Sequence, residues 1–276
     1  MGEKDLKVKI QEAVEFIRSR TQITPKIGII FGSGISALGE ISEKVEIPYE
    51  EIPHFPVSTV KGHPGRLILG RIKGKPVAIM AGRFHYYEGY SMQEITFPIR
   101  VMKFLGAEIL IVTNAAGAVN PKFRQGDIML ILDHINLLPD NPLRGPNDES
   151  LGPRFPSMHE PYDRKLAQLA EEVASHMGIS LQRGVYVAIA GPTLETPAEY
   201  RMARILGGDA DGMSTVPEVI VAKHMGMRVL GFSVITNVAD PYDPKPTTHE
   251  EVLEVASKTS QKLGNLISEI IGRLEI

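Results

Sequence analysis

Arg83, His85 and Tyr87 stand at alternate positions in Gly82-Arg83-Phe84-His85-Tyr86-Tyr87, directly after the apolar run Val77-Ala78-Ile79-Met80. In extended backbone alternate residues share a face, so a guanidinium fork, an imidazole and a phenol point one way while Phe84 and Tyr86 are free to pack. That trio suits the oxygens of a phosphate. The same pattern also fits an edge strand with a solvated polar face. A second candidate anion cradle is Gly32-Ser33-Gly34-Ile35-Ser36, which follows the run Ile27-Gly28-Ile29-Ile30-Phe31. Small residues there let backbone N–H groups and the Ser33 hydroxyl approach an anion closely. The dinucleotide fingerprint is not met, because Ala37 holds the place of its third glycine and no clear acidic partner follows, and no Walker A motif occurs. Taken alone, the loop is also compatible with a plain strand-to-helix turn.

Three further segments combine helix starts with polar residues. Thr196-Pro197-Ala198-Glu199 has the form of a capping box with proline at the first helical position. Glu195 then lies just outside the helix, where its carboxylate is expected to stay ionised and to accept ligand N–H groups. Thr215-Val216-Pro217-Glu218 repeats the arrangement, placing Met213 and Ser214 in a turn whose N–H groups can bind an anion. Thr248-His249-Glu250-Glu251 repeats it again, and the positive end of that helix disfavours the imidazolium form of His249, leaving a neutral donor and acceptor for a hydroxyl. Asn237, after the run Val229–Ile235, carries an amide that can donate and accept along a purine's N7 and O6 edge, although strand-end Asn more often caps a turn. His63 in Gly62-His63-Pro64-Gly65-Arg66 is a loop histidine between glycines that allow close ligand approach. The eight histidines form no H-E-x-x-H motif and there is no cysteine, so no metal site is expected.

These residues need a scaffold that brings strand ends together. Ile10, Ala13, Val14 and Ile17 recur at helical spacing and predict an opening helix that ends before Pro25. The short runs at 27–31, 77–80, 109–112 and 229–232 are β-branched and bounded by Gly or polar residues, as inner strands covered on both faces should be. Helical patterns near 91–105, 163–177, 197–206, 217–225 and 248–271 alternate with them. The expected fold is therefore α/β, a three-layer single domain over 1–276 whose central mixed β-sheet is flanked by helices. Open sheets of this kind bind ligands beyond the carboxyl ends of their strands. Residues 137–148, rich in Pro, Gly, Asn and Asp, read as a long loop, either functional or a surface excursion. With 276 residues, 43% hydrophobic and 23% charged, and a formal net charge of −3, the chain has globular chemistry and no broad positive field, so nucleic-acid binding is not expected. The absence of cysteine, of a signal-like amino terminus and of a membrane-length apolar run predicts a soluble, cytoplasmic protein without membrane contact.

The chain closely resembles the low-molecular-mass, homotrimeric purine nucleoside phosphorylases. The resemblance runs through Phe31-Gly32-Ser33-Gly34, Gly62-His63-Pro64-Gly65-Arg66-Leu67, Gly82-Arg83-Phe84-His85-Tyr86-Tyr87-Glu88-Gly89-Tyr90, Thr113-Asn114-Ala115-Ala116-Gly117, Asn141-Pro142-Leu143-Arg144-Gly145-Pro146-Asn147, Ala190-Gly191-Pro192-Thr193-Leu194-Glu195-Thr196 and Gly212-Met213-Ser214-Thr215-Val216-Pro217-Glu218. It implies phosphorolysis of 6-oxopurine nucleosides, with inorganic phosphate as co-substrate and no cofactor. It implies that Ser33, His63, Arg83, His85, the Ala115 backbone and Ser214 bind phosphate. Tyr87, Met213 and His249 would hold the ribose, with Phe155 reaching into a neighbouring subunit of a homotrimer. Glu195 and Asn237 would grip the purine, with Leu194 beside it; His85, Glu195 and Asn237 would carry the catalysis. Adenosine, which lacks N1–H, would be rejected by Glu195. Leu194 replaces a usual aromatic ring, and Asp211 replaces a usual apolar residue beside the base. The methylthioadenosine phosphorylases, of the same fold, are the alternative within this group. A non-catalytic nucleoside or phosphate sensor would lack the leaving-group stabiliser that Asn237 supplies, and a nicotinamide-dependent oxidoreductase has only the Gly32-Ser33-Gly34 loop in its favour.

Overall fold

A computed structural model describes residues 5–35, 38–59, 64–239 and 248–276. Helix α1 (Leu6–Arg20) buries Ile10, Ala13, Val14 and Ile17, the four positions the helical spacing selects; Asp5 caps its start and Arg18 and Arg20 lie in its last turn. The strands that follow are β1 (Ile27–Ile30), β2 (Ser42–Pro48), β3 (Arg66–Ile72) and β4 (Lys75–Ala81). Helix α2 (Met92–Leu105), strands β5 (Ile109–Ala118) and β6 (Ile128–Asn136) and helix α3 (Arg164–His176) come next. The remainder is β7 (Leu181–Ala188), α4 (Pro197–Ile205), β8 (Ala210–Gly212), α5 (Val216–His224), β9 (Arg228–Val238) and α6 (His249–Arg273). All four strands and all six helices expected from the apolar patterns are present, together with β2, β3, β6, β7 and β8.

The nine strands form one mixed sheet in the order β2-β3-β4-β1-β5-β8-β7-β6-β9, and β9 also pairs with β5. The second pairing closes β5-β8-β7-β6-β9 into a ring. Strand residues alternate between two apolar layers because helices cover both faces. Ile27, Ile29, Ile109 and Ile111 join Leu166 and Ala170 of α3 and Leu263 and Ile267 of α6. Ile30, Leu110 and Val112 face the other way, with Ile10 of α1, Ile99 of α2 and Val219 of α5.

β4, β1, β5 and β9 are mutually parallel neighbours. Their carboxyl ends therefore meet on one side, delivering Arg83 after β4, Gly32 and Ser33 after β1, Ala115 to Gly117 in β5 and Asn237 in β9. The turn after β1 touches β5 backbone directly: Gly32 N–H donates to Thr113 Oγ1 at 3.2 Å. A Cβ at Gly32 would lie 2.7 Å from Asn114 Cα and 2.9 Å from the Thr113 carbonyl oxygen. Both are main-chain atoms of a central strand and cannot yield.

Gly32→Ala is therefore expected to lower stability by about 1–3 kcal/mol and to push Ser33 out of place. Urea unfolding of the variant against the unaltered protein measures this; an unshifted midpoint would show that the turn relaxes without cost.

Candidate active site

One cavity of about 450 Å³ opens over these strand ends, within the range of small-molecule sites. Its walls bring together Ser33, Arg83, His85, Tyr87, Ala115, Leu194, Glu195, Met213, Ser214, Asn237 and His249; contacts link Arg83 and Ser214 through Thr215, and His85 to Tyr87, at one end, and Asn237 and Glu195 through Asp211 at the other. Two anticipated residues are not part of this grouping. His63 lies outside the described residues. Phe155 is 88% exposed, beneath the Arg154 guanidinium, and does not line the cavity of its own chain. Nor do residues 137–148.

The anion end departs from its sequence reading in two ways. Arg83, His85 and Tyr87 do not alternate along an extended strand, because Tyr86–Glu88 form a 3₁₀ turn. Glu88 causes it: its Oε1 accepts from the His85 backbone N–H at 2.8 Å and from Nδ1 at 2.9 Å. Its Oε2 accepts from the Thr59 hydroxyl at 2.6 Å and N–H at 3.0 Å. The turn stacks the His85 ring on Tyr87, with centroids 4.7 Å apart and planes 16° from parallel. Phe84 packs inward against Tyr49, as expected. Burial holds His85 below the ordinary imidazole range despite the Glu88 hydrogen bond, so at neutral pH the ring is neutral, with Nδ1–H on Glu88. Nε2 is then an acceptor, suited to the O–H of monohydrogen phosphate. Burial also pushes the Tyr87 phenol up, to about 12.

The second departure is at Thr215. Thr215-Val216-Pro217-Glu218 is no capping box, since the Thr215 side chain makes no cap hydrogen bond. Thr215 has φ 76° and ψ −52°, and Val216 N–H donates to the Ser214 carbonyl at 2.9 Å, which defines a strained γ-turn in a β-branched residue. Its hydroxyl is held by Arg83 Nη1 at 3.0 Å and Asn114 Nδ2 at 2.8 Å, with Ser214 Oγ 3.1 Å away. Glu218 makes an ion pair with Arg83 at 3.2 Å, the two side chains being only 4% and 2% exposed. Arg83 Nη2 also donates to the Thr113 carbonyl. Arg83 is thus a buried, braced cation lining the cavity, at the amino end of α5 where Ser214 sits.

The Thr196 and Thr248 capping boxes form as read. Thr196 N–H donates to Glu199 Oε2 at 2.7 Å, which leaves Glu195 just ahead of α4 with its own carboxyl toward the cavity wall. Glu195 is not simply an ionised cap neighbour. Burial raises its carboxyl above the usual range, opposed by hydrogen bonds from its own backbone and from the Tyr200 hydroxyl. Asn237 Oδ1 accepts from Thr236 Oγ1 at 3.1 Å, so its Nδ2 donor remains for a ligand. Gly117 makes room for it: a Cβ there would stand 3.2 Å from Asn237 Nδ2 and 3.1 Å from Asp211 Oδ1. His249 lies in the exposed first turn of α6.

Glu88, Glu218, Asn114, Thr215 and Tyr200 were not anticipated as functional residues. The three-residue spacing from His85 to Glu88 is a capping signal visible in sequence, whereas the Arg83–Glu218 pairing joins distant segments and leaves no local mark. Among the described residues no group of three His, Asp or Glu could hold a metal ion, and no helix is long and apolar enough to cross a membrane.

One cavity over parallel strand ends, with a buried cation and a carboxyl and an amide in its lining, is what the fold assembles, and the chain belongs to the phosphorylase superfamily, whose family model matches residues 26–272. Within that family it is similar to purine nucleoside phosphorylase 1 of Geobacillus stearothermophilus, 54% identical over 95% of this chain and 96% of the relative. It is also similar to the solved structure of isoform 2 of purine nucleoside phosphorylase from Schistosoma mansoni in complex with cytosine and ribose-1-phosphate (TM-score 0.93, 46% identity, 98% of this chain and 97% of that one). A Schistosoma mansoni purine nucleoside phosphorylase in complex with inosine matches with TM-score 0.93 and 42% identity over 98% and 97% of the two chains.

Two outcomes follow from this geometry. Glu218→Ala strands a buried guanidinium and should cost about 3–5 kcal/mol of stability, together with weakened phosphate saturation; thermal unfolding and the KM for phosphate report both. Burial alone would raise the Glu88 carboxyl, but hydrogen bonds from His85 and Thr59 outweigh it and hold it at about 2. Its folded value lies below its unfolded value, so its stabilisation is present above about pH 4.5 and is lost as pH falls towards about 2. Glu88→Gln should flatten that acid limb in a stability–pH profile, and an unchanged limb would refute the assignment.

Proposed function

We propose that the chain catalyses the reversible phosphorolysis of 6-oxopurine ribonucleosides and deoxyribonucleosides, including inosine and guanosine, yielding free base and (deoxy)ribose 1-phosphate. The observation that carries this reading is a single cavity with a braced cation, a neutral histidine and a helix amino terminus at one end and a carboxyl–amide pair at the other. Its relatives bear the purine nucleoside phosphorylase name, and two solved neighbours hold inosine and ribose-1-phosphate.

Ser33, Arg83, His85, the Ala115 backbone and Ser214, with His63, bind phosphate; Tyr87, Met213 and His249 hold the ribose. Glu195 accepts N1–H of the base, Asn237 addresses N7 and O6, and Leu194 packs beside the ring. The C1′–N9 bond breaks with its electron pair moving into the purine, and positive charge develops on the ribosyl carbon. The phosphate anion stabilises that charge and then forms the C1′–O bond. The proton of monohydrogen phosphate ends on the departing base, so charge and atoms balance. Phosphate itself is the nucleophile, hence no side-chain nucleophile and no cofactor is required. Holding both reactants in line contributes several kcal/mol, on the order of what oriented intramolecular reactions gain. The exposed Phe155 suits a role in the site of a neighbouring subunit, and in this reading, as the resemblance implies, the working unit is a homotrimer of single-domain chains. A cytoplasmic location fits a cysteine-free chain of this kind, and nothing in its charge suits nucleic acid or membrane.

Purine release from inosine should require phosphate, and Glu195→Ala should cut kcat/KM for inosine by about 10²-fold or more. No phosphate-dependent cleavage would reject the assignment, while cleavage of adenosine as fast as inosine would move it to the 6-amino branch. Sedimentation should report a trimer, and Phe155→Ala should raise the KM for nucleoside; a fully active monomer would overturn the shared site.

A further inference from the structure

Asp211 has no part in the mechanism proposed above, yet it lines the cavity and is only 2% exposed. It lies on β8, opposite Gly117 of β5. Its Oδ1 and the Asn237 amide crowd the same empty position above Gly117, at 3.1 and 3.2 Å from where a Cβ would stand. Its Oδ2 is buried and has no hydrogen-bond partner among the described residues. It also interacts electrostatically with Glu195. Asp211 therefore neighbours both residues assigned above, to N1 and to the N7/O6 edge, and the purine position between those edges is the C6 substituent. We propose that Asp211 is a third base-reading residue, which presents a carboxyl O–H to the C6 oxygen of a 6-oxopurine between Glu195 and Asn237.

The proton has a physical reason to reside there. Two carboxylates cannot both ionise cheaply in a buried slot. The titratable groups that face Asp211 are Glu195 ahead of α4, Tyr200 on α4 and Tyr186 on β7, all of them acids, and no cation among the described residues is placed to stabilise its anion. Burial, then Glu195, raise Asp211 well above the ordinary carboxyl range, outweighing a hydrogen bond from its own backbone. The Tyr200 hydroxyl donates to Glu195 and favours the anion there, so the shared proton sits on Asp211. A neutral acid suits the chemistry better than an anion would, because negative charge flows into the purine as its glycosidic bond breaks and part of it settles on O6. The proton stays on Asp211 throughout, as a hydrogen bond that strengthens towards the transition state. A 6-amino group would bring donors to the same place, so Asp211 sharpens the preference that Glu195 begins.

This inference rests on the phosphorolytic reading, and two measurements separate the failure of one from the failure of the other. Infrared difference spectra of the unaltered protein against Asp211→Asn should show the carbonyl stretch of a neutral carboxylic acid lost at neutral pH; a carboxylate band in its place would overturn the proposal. Kinetically, the readout is the ratio of kcat/KM for inosine to that for 4-nitrophenyl β-D-riboside, whose leaving group has no purine edge. Asp211→Val should lower the ratio by about 10²-fold, the scale of one lost oxyanion donor. Asp211→Asn, which keeps an N–H donor, should lower it by no more than about tenfold. An unmoved ratio in Asp211→Val, including an equal fall for both substrates, would assign Asp211 a merely structural part. Failure of the unaltered enzyme to cleave inosine with phosphate would reject the phosphorolytic reading and this proposal with it.

Discussion

The site depends on one buried cation. Arg83 leaves the end of β4 and is gripped by Glu218 of α5, the Thr215 hydroxyl and the Thr113 carbonyl of β5, so three elements meet on a single guanidinium. A guanidinium on a side chain only 2% exposed would be prohibitive without that shell. The shell also sustains the Thr215 γ-turn, a conformation that costs on the order of 1–3 kcal/mol and persists only where its surroundings over-determine it. That turn aims Ser214 and the amino end of α5 at the cavity. Charge and backbone strain are consequently supported by the same few bonds: Arg83 stabilises the bend, and the bend presents Ser214 to the cavity that Arg83 lines.

The cavity has opposite electrostatic characters at its two ends. One is cationic, with a histidine kept neutral by burial and oriented by Glu88. The other holds two carboxyls, an amide and a phenol, with no cation placed against Asp211 among the described residues. In the function proposed above, the first end receives the anionic nucleophile and the second the base that gathers electron density. Low accessibility enhances both effects, because a preformed dipole in a dry site needs little reorganisation when charge moves. The glycines at 32 and 117 serve this division in the same manner, as missing side chains that let the functional groups of neighbouring strands converge.

Much of this was legible in the residues, for identifiable reasons. Inner strands such as Ile27–Ile30 and Ile109–Val112 are apolar on both faces and stand out from their surroundings. The Thr196 and Thr248 boxes are local signals, and local signals survive folding. β6 carries no clean strand pattern because its second half, Leu132–Asn136, is at least partly exposed and mostly polar, and β8 none because three residues carry no period at all. The identical-looking Thr215 segment failed as a capping box since Arg83 and Asn114, far away in the chain, claim its hydroxyl. Likewise the alternation at Arg83 to Tyr87 yielded to Glu88, whose carboxylate is worth more to the His85 backbone as a turn partner than further extension would be. Side-chain to main-chain competition of this kind has no sequence period to betray it.

The closing of the sheet by β9 bears on how the molecule is made. Ile109 pairs with Arg228 and Ala118 with Val238, while β6 takes the other edge of the same late strand. Contacts of such long chain separation close slowly, after local helices and hairpins have formed. A nascent chain emerging from the ribosome can assemble β1 to β5 with α1 and α2, yet its ring stays open, and the Gly117 platform lacks Asn237, until the last quarter has been synthesised. Until then one edge of β5 presents unpaired main chain, the kind of surface that invites mispairing with other copies. Completion of the cavity wall and protection from aggregation thus arrive in the same step of biogenesis.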